Sequence, residues 1–136
     1  MDFVKSLQVA VSGLKAQSGR MRVISENIAN ADSIPTSPTS DPYRRKIPRF
    51  ERKFDSELQA ETVRLGRVAR DQKEFGTRFE PGHPAADRNG YVKIPNVNTT
   101  IESMDLREAQ RSYEANLNVV TSTRRMIQRT LELLRS

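Results

Sequence analysis

The stretch FVKSLQVAVSGLKAQSGRMRVISENI, residues 3–28, decides the architecture. Phe3, Leu7, Ala10, Leu14, Gln17, Met21, Ile24 and Ile28 are spaced alternately four and three apart, and only Gln17 interrupts the apolar run. A helix with that period carries a stripe made to be covered by another helix. Working outward, the other end repeats the pattern. Leu106, Ala109, Tyr113, Val120, Ile127 and Leu134 fall on one grid of about 3.5 residues, with Leu117 and Leu131 beside it. The middle does not. Two terminal seams on a chain of 136 residues imply that the ends pack on each other or into neighbouring subunits. That is the layout of an assembly protein.

The boundaries follow from local chemistry. Asp2 is placed to cap the first helix, because its carboxylate accepts from exposed backbone N–H groups. The helix is expected over residues 1–31. Gly13 and Gly19 within it each cost about 1 kcal/mol relative to Ala. Close approach of another backbone gives one reason to keep them, with Ser12, Gly13 and Ala16 forming a small-residue face; plain tolerance is an equal alternative for Gly19. Residues 32–42 contain three prolines among Ser, Thr and Asp, which sustain neither a helix nor a central strand, so they read as a loop.

Residues 43–96 change style. Thr62, Val63, Leu65 and Val68 suggest a short strand, and Tyr91-Val92-Lys93-Ile94 follows the turn dipeptide Asn89-Gly90. Residues 55–61 read as part of this β-rich module or as a helical turn. The last helix is expected over 97–136, with Thr99 and Glu102 matching a capping box in which hydroxyl and carboxylate satisfy backbone donors reciprocally. The fold class is therefore α+β: two long helices, forming a coiled-coil-like pair or an intersubunit bundle, around a small mostly β module.

Composition narrows function. Hydrophobic residues make up 35% of the chain and charged residues 29%, so the core is modest and a partner is expected to complete it. The net charge of +6 is spread over all three regions rather than gathered on one face, unlike most nucleic-acid binders. Arg44-Arg45-Lys46, followed by Arg49, Arg52 and Lys53, is the densest basic run, flanked by Asp41, Glu51 and Asp55. It reads as a solvated, partly ion-paired surface, with contact to phosphate or an acidic partner as the alternative. A small basic nucleic-acid-binding protein is the competing class for the whole chain.

With no cysteine there is neither a disulfide nor a thiolate site. The single histidine, His83, lies between turn-formers and reads as a turn residue. No phosphate-cradling glycine loop, nucleophile elbow or paired-carboxylate spacing is present. No enzyme activity, cofactor or metal is expected. No run approaches 18 apolar residues, so membrane insertion is not expected either. The first residues lack the positive start and uniform apolar run of a secretory signal.

Three further groups of residues carry a resemblance. Ser12-Gly13-Leu14-Lys15-Ala16-Gln17, Arg20-Met21 and Asn27-Ile28-Ala29-Asn30-Ala31 form one group. Pro81-Gly82-His83-Pro84, Ala86-Asp87, Asn89-Gly90-Tyr91-Val92 and Pro95-Asn96-Val97-Asn98 form the second, and Ala109-Gln110-Arg111-Ser112-Tyr113-Glu114-Ala115-Asn116 the third. In that order they resemble the flagellar axial proteins, the family of rod, hook and related components. The central group is similar to that of proximal-rod members; a neighbouring rod component with the same ends is the alternative within the family.

The resemblance implies a structural subunit of the proximal rod of the bacterial flagellar basal body. Such a subunit passes through the flagellar type III export apparatus without a cleavable signal. It polymerises in the periplasmic space with copies of itself and other rod proteins, at the junction with the inner-membrane ring. The product is a hollow driveshaft that transmits torque and lines the export channel, and nucleic acid is not among its partners. The residues assigned to subunit interfaces are Leu7, Leu14, Met21, Ile24, Asn27, Ile28, Asn30, Tyr113, Asn116, Leu117, Val120, Ile127 and Leu131. The amides Asn27, Asn30 and Asn116 read either as register-setting groups in a seam or as surface and cap residues.

Overall fold

The computed structural model describes residues 2–136. Helix α1 spans Phe3–Ala29 and helix α2 spans Thr99–Arg135. Between them lie β1 (Lys46–Ile47), β2 (Phe50–Asp55), β3 (Ala60–Leu65), β4 (Ala69–Arg70), β5 (Gly76–Phe79) and β6 (Tyr91–Ile94). The strands pair antiparallel as three separate two-stranded ribbons, β1 with β4, β2 with β3 and β5 with β6. Long helices flanking short strands make the protein α+β.

Local signals explain most element ends. The Asp2 carboxylate accepts from Lys5 N–H at 3.0 Å and starts α1. The start of α2 corrects the expected capping box. Asn98, not Thr99, is the cap: its Oδ1 accepts from Thr100 N–H at 3.1 Å and Ile101 N–H at 3.3 Å. An Asx side chain directly before the first turn reaches those donors without help, which frees Glu102 to turn inward. The turn between β2 and β3 is residues 56–59 and holds Gln59 in the left-handed region at φ 54°. It is secured by Asp55, whose carboxylate accepts from Glu57 and Leu58 N–H. Asn89-Gly90 closes a turn begun by Asp87, with Gly90 at φ +83° and Asp87 accepting from Asn89 and Tyr91 N–H. A side chain at Gly90 would also meet Phe79 and Pro81.

The chain gathers into two compact units. The first comprises residues 1–21, 49–67 and 107–136; the second comprises 22–48 and 68–106. Each helix thus contributes one part to each unit. In the first unit Arg20 pairs with Glu108 at 3.7 Å and Gly13 packs on Asn116, so α1 and α2 run antiparallel there. Ribbon β2–β3 lies against the same part of α1. Ser12 Oγ accepts from Val63 N–H at 3.3 Å, and a Cβ on Gly19 would stand 2.9 Å from Leu65. Buried apolar residues in this unit are small: Ala10, Ala16 and Ala109. In the second unit they are Val23, Ile24, Ala85 and Val92.

Candidate assembly interface

Two kinds of site emerge from the helices, one polar and closed, the other apolar and open. The polar one is in the second unit and centres on Asn27, which is fully buried. Its amide donates to the Lys46 carbonyl at 2.8 Å and to Glu102 Oε2 at 3.3 Å. Its Oδ1 accepts from Lys46 N–H at 2.9 Å and from the Tyr43 hydroxyl at 2.8 Å. Both faces of the amide are therefore used, and an amide is the one uncharged side chain that offers two donors and an acceptor in a plane.

Glu102, 1% exposed, stands beside Asn27 and forms a close ion pair with Arg45 Nε. Arg45 also reaches Asp71 at 3.2 Å. Asn96 ties the group to the backbone: Oδ1 accepts from Arg45 N–H at 2.7 Å, while Nδ2 donates to the carbonyls of Asp71 and Lys73. Arg44 donates to the same two carbonyls and lies 4.3 Å over the Phe75 ring. Lys46 pairs with Glu26 at 3.1 Å.

This geometry sets the titration behaviour. Asp71 is held below its ordinary value, chiefly because Lys73 N–H donates to its carboxylate; burial opposes this and Arg45 supports it. Burial works to lower Arg45, but Glu102 and Asp71 outweigh it and raise the guanidinium further. Burial, with Glu26 and Glu102 nearby, raises the Tyr43 phenol. The two arginines that head the basic run are thus internal anchors rather than a solvated face. Sequence reading missed Glu102 and Arg45 as partners because 57 positions separate them and neither stands in an apolar stripe.

The open site is made of apolar residues without cover. Val4, Phe50, Phe54, Leu117, Val119, Met126, Leu131, Leu133 and Leu134 in the first unit are all exposed, Leu133 and Leu134 by 76% and 78%. Ile101, Met104, Phe79 and Tyr91 are exposed in the second. Phe79 and Tyr91 meet edge to face at 5.3 Å.

Of the expected interface residues, Ile24 and Asn27 are buried within the chain. Leu7, Leu14, Met21, Ile28, Tyr113, Asn116, Val120 and Ile127 are half-buried, while Leu117 and Leu131 are exposed. Asn30 is half-buried; its amide donates to the Glu26 carbonyl at 2.8 Å and its oxygen accepts from Ser33. On α1 the line turned inward is Ala10, Gly13, Ala16, Gly19, Val23, Ile24 and Asn27, which leaves Leu7, Leu14, Met21 and Ile28 along its margin.

His83 Nδ1 accepts from Ala85 N–H at 2.9 Å, a turn contact. Among the described residues no cluster of three or more potential metal ligands occurs, and no helix is long and apolar enough to cross a membrane.

Comparison with known proteins places this geometry. Residues 7–33, most of α1, match the family described as flagella basal body rod protein. Residues 88–133, covering β6 and nearly all of α2, match flagellar basal body rod FlgEFG protein C-terminal. The flagellar basal-body rod protein FlgC of Agrobacterium fabrum is 47% identical over 129 residues, 95% of this chain and 93% of the relative. This chain belongs to the FlgC family of flagellar basal-body rod proteins. FlgC of Salmonella typhimurium is 38% identical over 133 residues, 98% of both chains, and that of Bacillus subtilis 34% identical over 148 residues, 98% of this chain. Asn27 lies in one matched segment, and Asn96, Asn98 and Glu102 lie in the other.

Proposed function

We propose that this protein is a structural subunit of the proximal rod of the bacterial flagellar basal body. It polymerises with other rod proteins and with copies of itself into a hollow driveshaft that transmits motor torque and lines the export channel. The observation that carries this reading is the apolar imbalance of the helices. Large side chains such as Leu117, Met126, Leu131 and Leu134 face solvent, while in the same unit the helices turn alanines and glycines inward. Exposed apolar area of that kind marks a surface made for another protein, and FlgC-family membership supports the rod as its setting. Identical subunits in an open stack need heterologous contacts, in which different surfaces of neighbouring copies meet. Helices of 27 and 37 residues, about 40 and 55 Å long, offer such surfaces over their whole length.

The finer parts of the reading follow from that role. Delivery is through the flagellar type III export apparatus, assembly is in the periplasmic space, and the base of the stack meets the inner-membrane ring. The half-buried line Leu7, Leu14, Met21 and Ile28, with Tyr113, Asn116, Val120 and Ile127, is the flank of the interface; Leu117 and Leu131 lie at its centre. The subunit acts by packing, not by catalysis. Electron microscopy of basal bodies from a clean deletion tests this. Loss of rod and hook with the inner-membrane ring retained is expected; complete rotating flagella would overturn it.

A further inference from the structure

The second unit carries a surface cleft of about 390 Å³ beside a smaller one of about 210 Å³, and Asp41, Arg44 and Phe75 line both. Basic side chains outnumber acidic ones around them: Arg44, Lys46, Arg70, Lys73 and Lys93 against Asp41 and Glu74. Strand register sets part of this arrangement. Lys46 and Arg70 stand directly opposite each other in the β1–β4 ribbon, so their side chains share a face and repel. Glu26 answers Lys46, and Asp41 answers Lys93 at 3.6 Å. Arg70 and Lys73 form no ion pair among the described residues. The chain alone thus gathers like charge at one place, and an arriving anion would relieve it.

Arg44 decides which anion fits. Only one end of it serves as an internal anchor. Nη1 spends its N–H groups on the Asp71 and Lys73 carbonyls, and the guanidinium is held over Phe75. Nε–H and the N–H groups of Nη2 donate to nothing among the described residues. They are open to water, because Gln17 Oε1 is the one buried side-chain polar atom without a partner among the described residues. Nε–H and one Nη2–H form the parallel fork that a carboxylate accepts with both oxygens. Holding the guanidinium in place beforehand lowers the ordering cost of that contact. A carboxylate also suits the walls better than a phosphate, since Asp41 and Glu74 oppose a second negative charge. Half-buried Phe75 offers apolar surface to a methylene stem.

We propose that this cleft receives an Asp or Glu side chain of a neighbouring subunit. The unspent edge of Arg44 holds the carboxylate, and Arg70 and Lys73 supply unpaired positive charge around it. The contact rests on the reading of the protein as a rod subunit, which supplies the neighbour. It adds a charged interface in the second unit to the apolar one on the helices.

A photo-cross-linking residue in place of Gln72, which is exposed and lines the cleft, identifies the occupant in cells that build basal bodies. The expected adduct lies beside an Asp or Glu of a rod protein or of a second copy of this chain. An adduct on lipid, on nucleic acid or on a segment without an acidic residue overturns the proposal, as does the absence of any adduct. Charge exchange gives a second readout. Arg70→Glu with Lys73→Glu should cut assembled flagella by about tenfold or more. The purified double variant should keep or raise its urea midpoint, because the substitutions remove like charge rather than a contact. Changing the cross-linked Asp or Glu to Lys should then restore most of the flagella. Normal assembly in the double variant, or no restoration, also overturns the proposal. The cross-link keeps Arg44, Arg70 and Lys73 as they are, so it decides the matter even where the double variant folds poorly. Each of these failures leaves the rod assignment standing, because that assignment is judged by the deletion strain.

Discussion

The two compact units use their interiors in opposite ways. In the second unit a buried amide, two carboxylates and a guanidinium satisfy one another, and little polar capacity is left over. In the first unit the buried side chains are small, and many large apolar ones are outside. The difference teaches where specificity is spent. A satisfied polar network fixes one internal arrangement, since a shifted one would strand buried donors and acceptors. An uncovered apolar face fixes nothing until a neighbour arrives.

Substitutions can break that contrast from either side. The largest effect on folding is expected from Asn27→Ala, which strands Lys46 N–H, the Lys46 carbonyl and the Tyr43 hydroxyl together. At 1–3 kcal/mol for a stranded group, discounted for water entry, the loss should be about 3 kcal/mol. Urea unfolding of the purified chain measures it, and a loss below 1 kcal/mol would remove the network from its central place. Glu102→Ala should cost about 2–3 kcal/mol by leaving Arg45 with Asp71 alone. This lies under the range for a fully buried pair because Arg45 is 22% exposed.

Acid acts on the same unit. Asp71 has a folded value below its ordinary 3.8, so its contribution is complete above that value and disappears as pH falls through the lowered one. Unfolding midpoints should therefore drop below about pH 4, and Asp71→Asn should remove part of that drop. An unchanged acid limb in the variant would place the acid response elsewhere.

Smaller effects belong to the first unit. Gly13→Val should cost about 1–2 kcal/mol, because the Cβ meets Asn116 at 2.9 Å and overpacking must move it. Gly19→Ala should be close to neutral. Its clash is with the terminal methyl of Leu65, and the helix gains about 1 kcal/mol of propensity. Leu117→Asp, at a position 43% exposed, should change stability by less than about 0.5 kcal/mol yet abolish swimming in motility agar. Swimming cells would remove Leu117 from the interface.

Much of this was legible in residue order. The helices, the Asp2 cap, the proline-rich loop, the strands at 62–65 and 91–94 and the Asn89-Gly90 turn all rest on local signals, and the structure has them. Which side of α1 turns inward was not legible. Periodicity weights Leu14 and Met21 above Gly13 and Gly19, but it is the two glycines that turn inward, Gly13 against Asn116 and Gly19 against Leu65. The role of Glu102 was hidden by a plausible local alternative at the helix start, and the inward turn of Arg45 by its place in a hydrophilic run. Long-range pairing of polar residues leaves no periodic trace.

The sequence distance across the Asn27 network has a consequence in time. Asn27 meets Tyr43 and Lys46 only 16 and 19 positions away, but Glu102 lies 75 positions on. Ribbons such as β2–β3 close in microseconds, whereas the Asn27–Glu102 contact must wait for a long loop to close. The ribbons can therefore form early. The network cannot be completed until residues 96–102 are in place, so final locking waits for the start of α2.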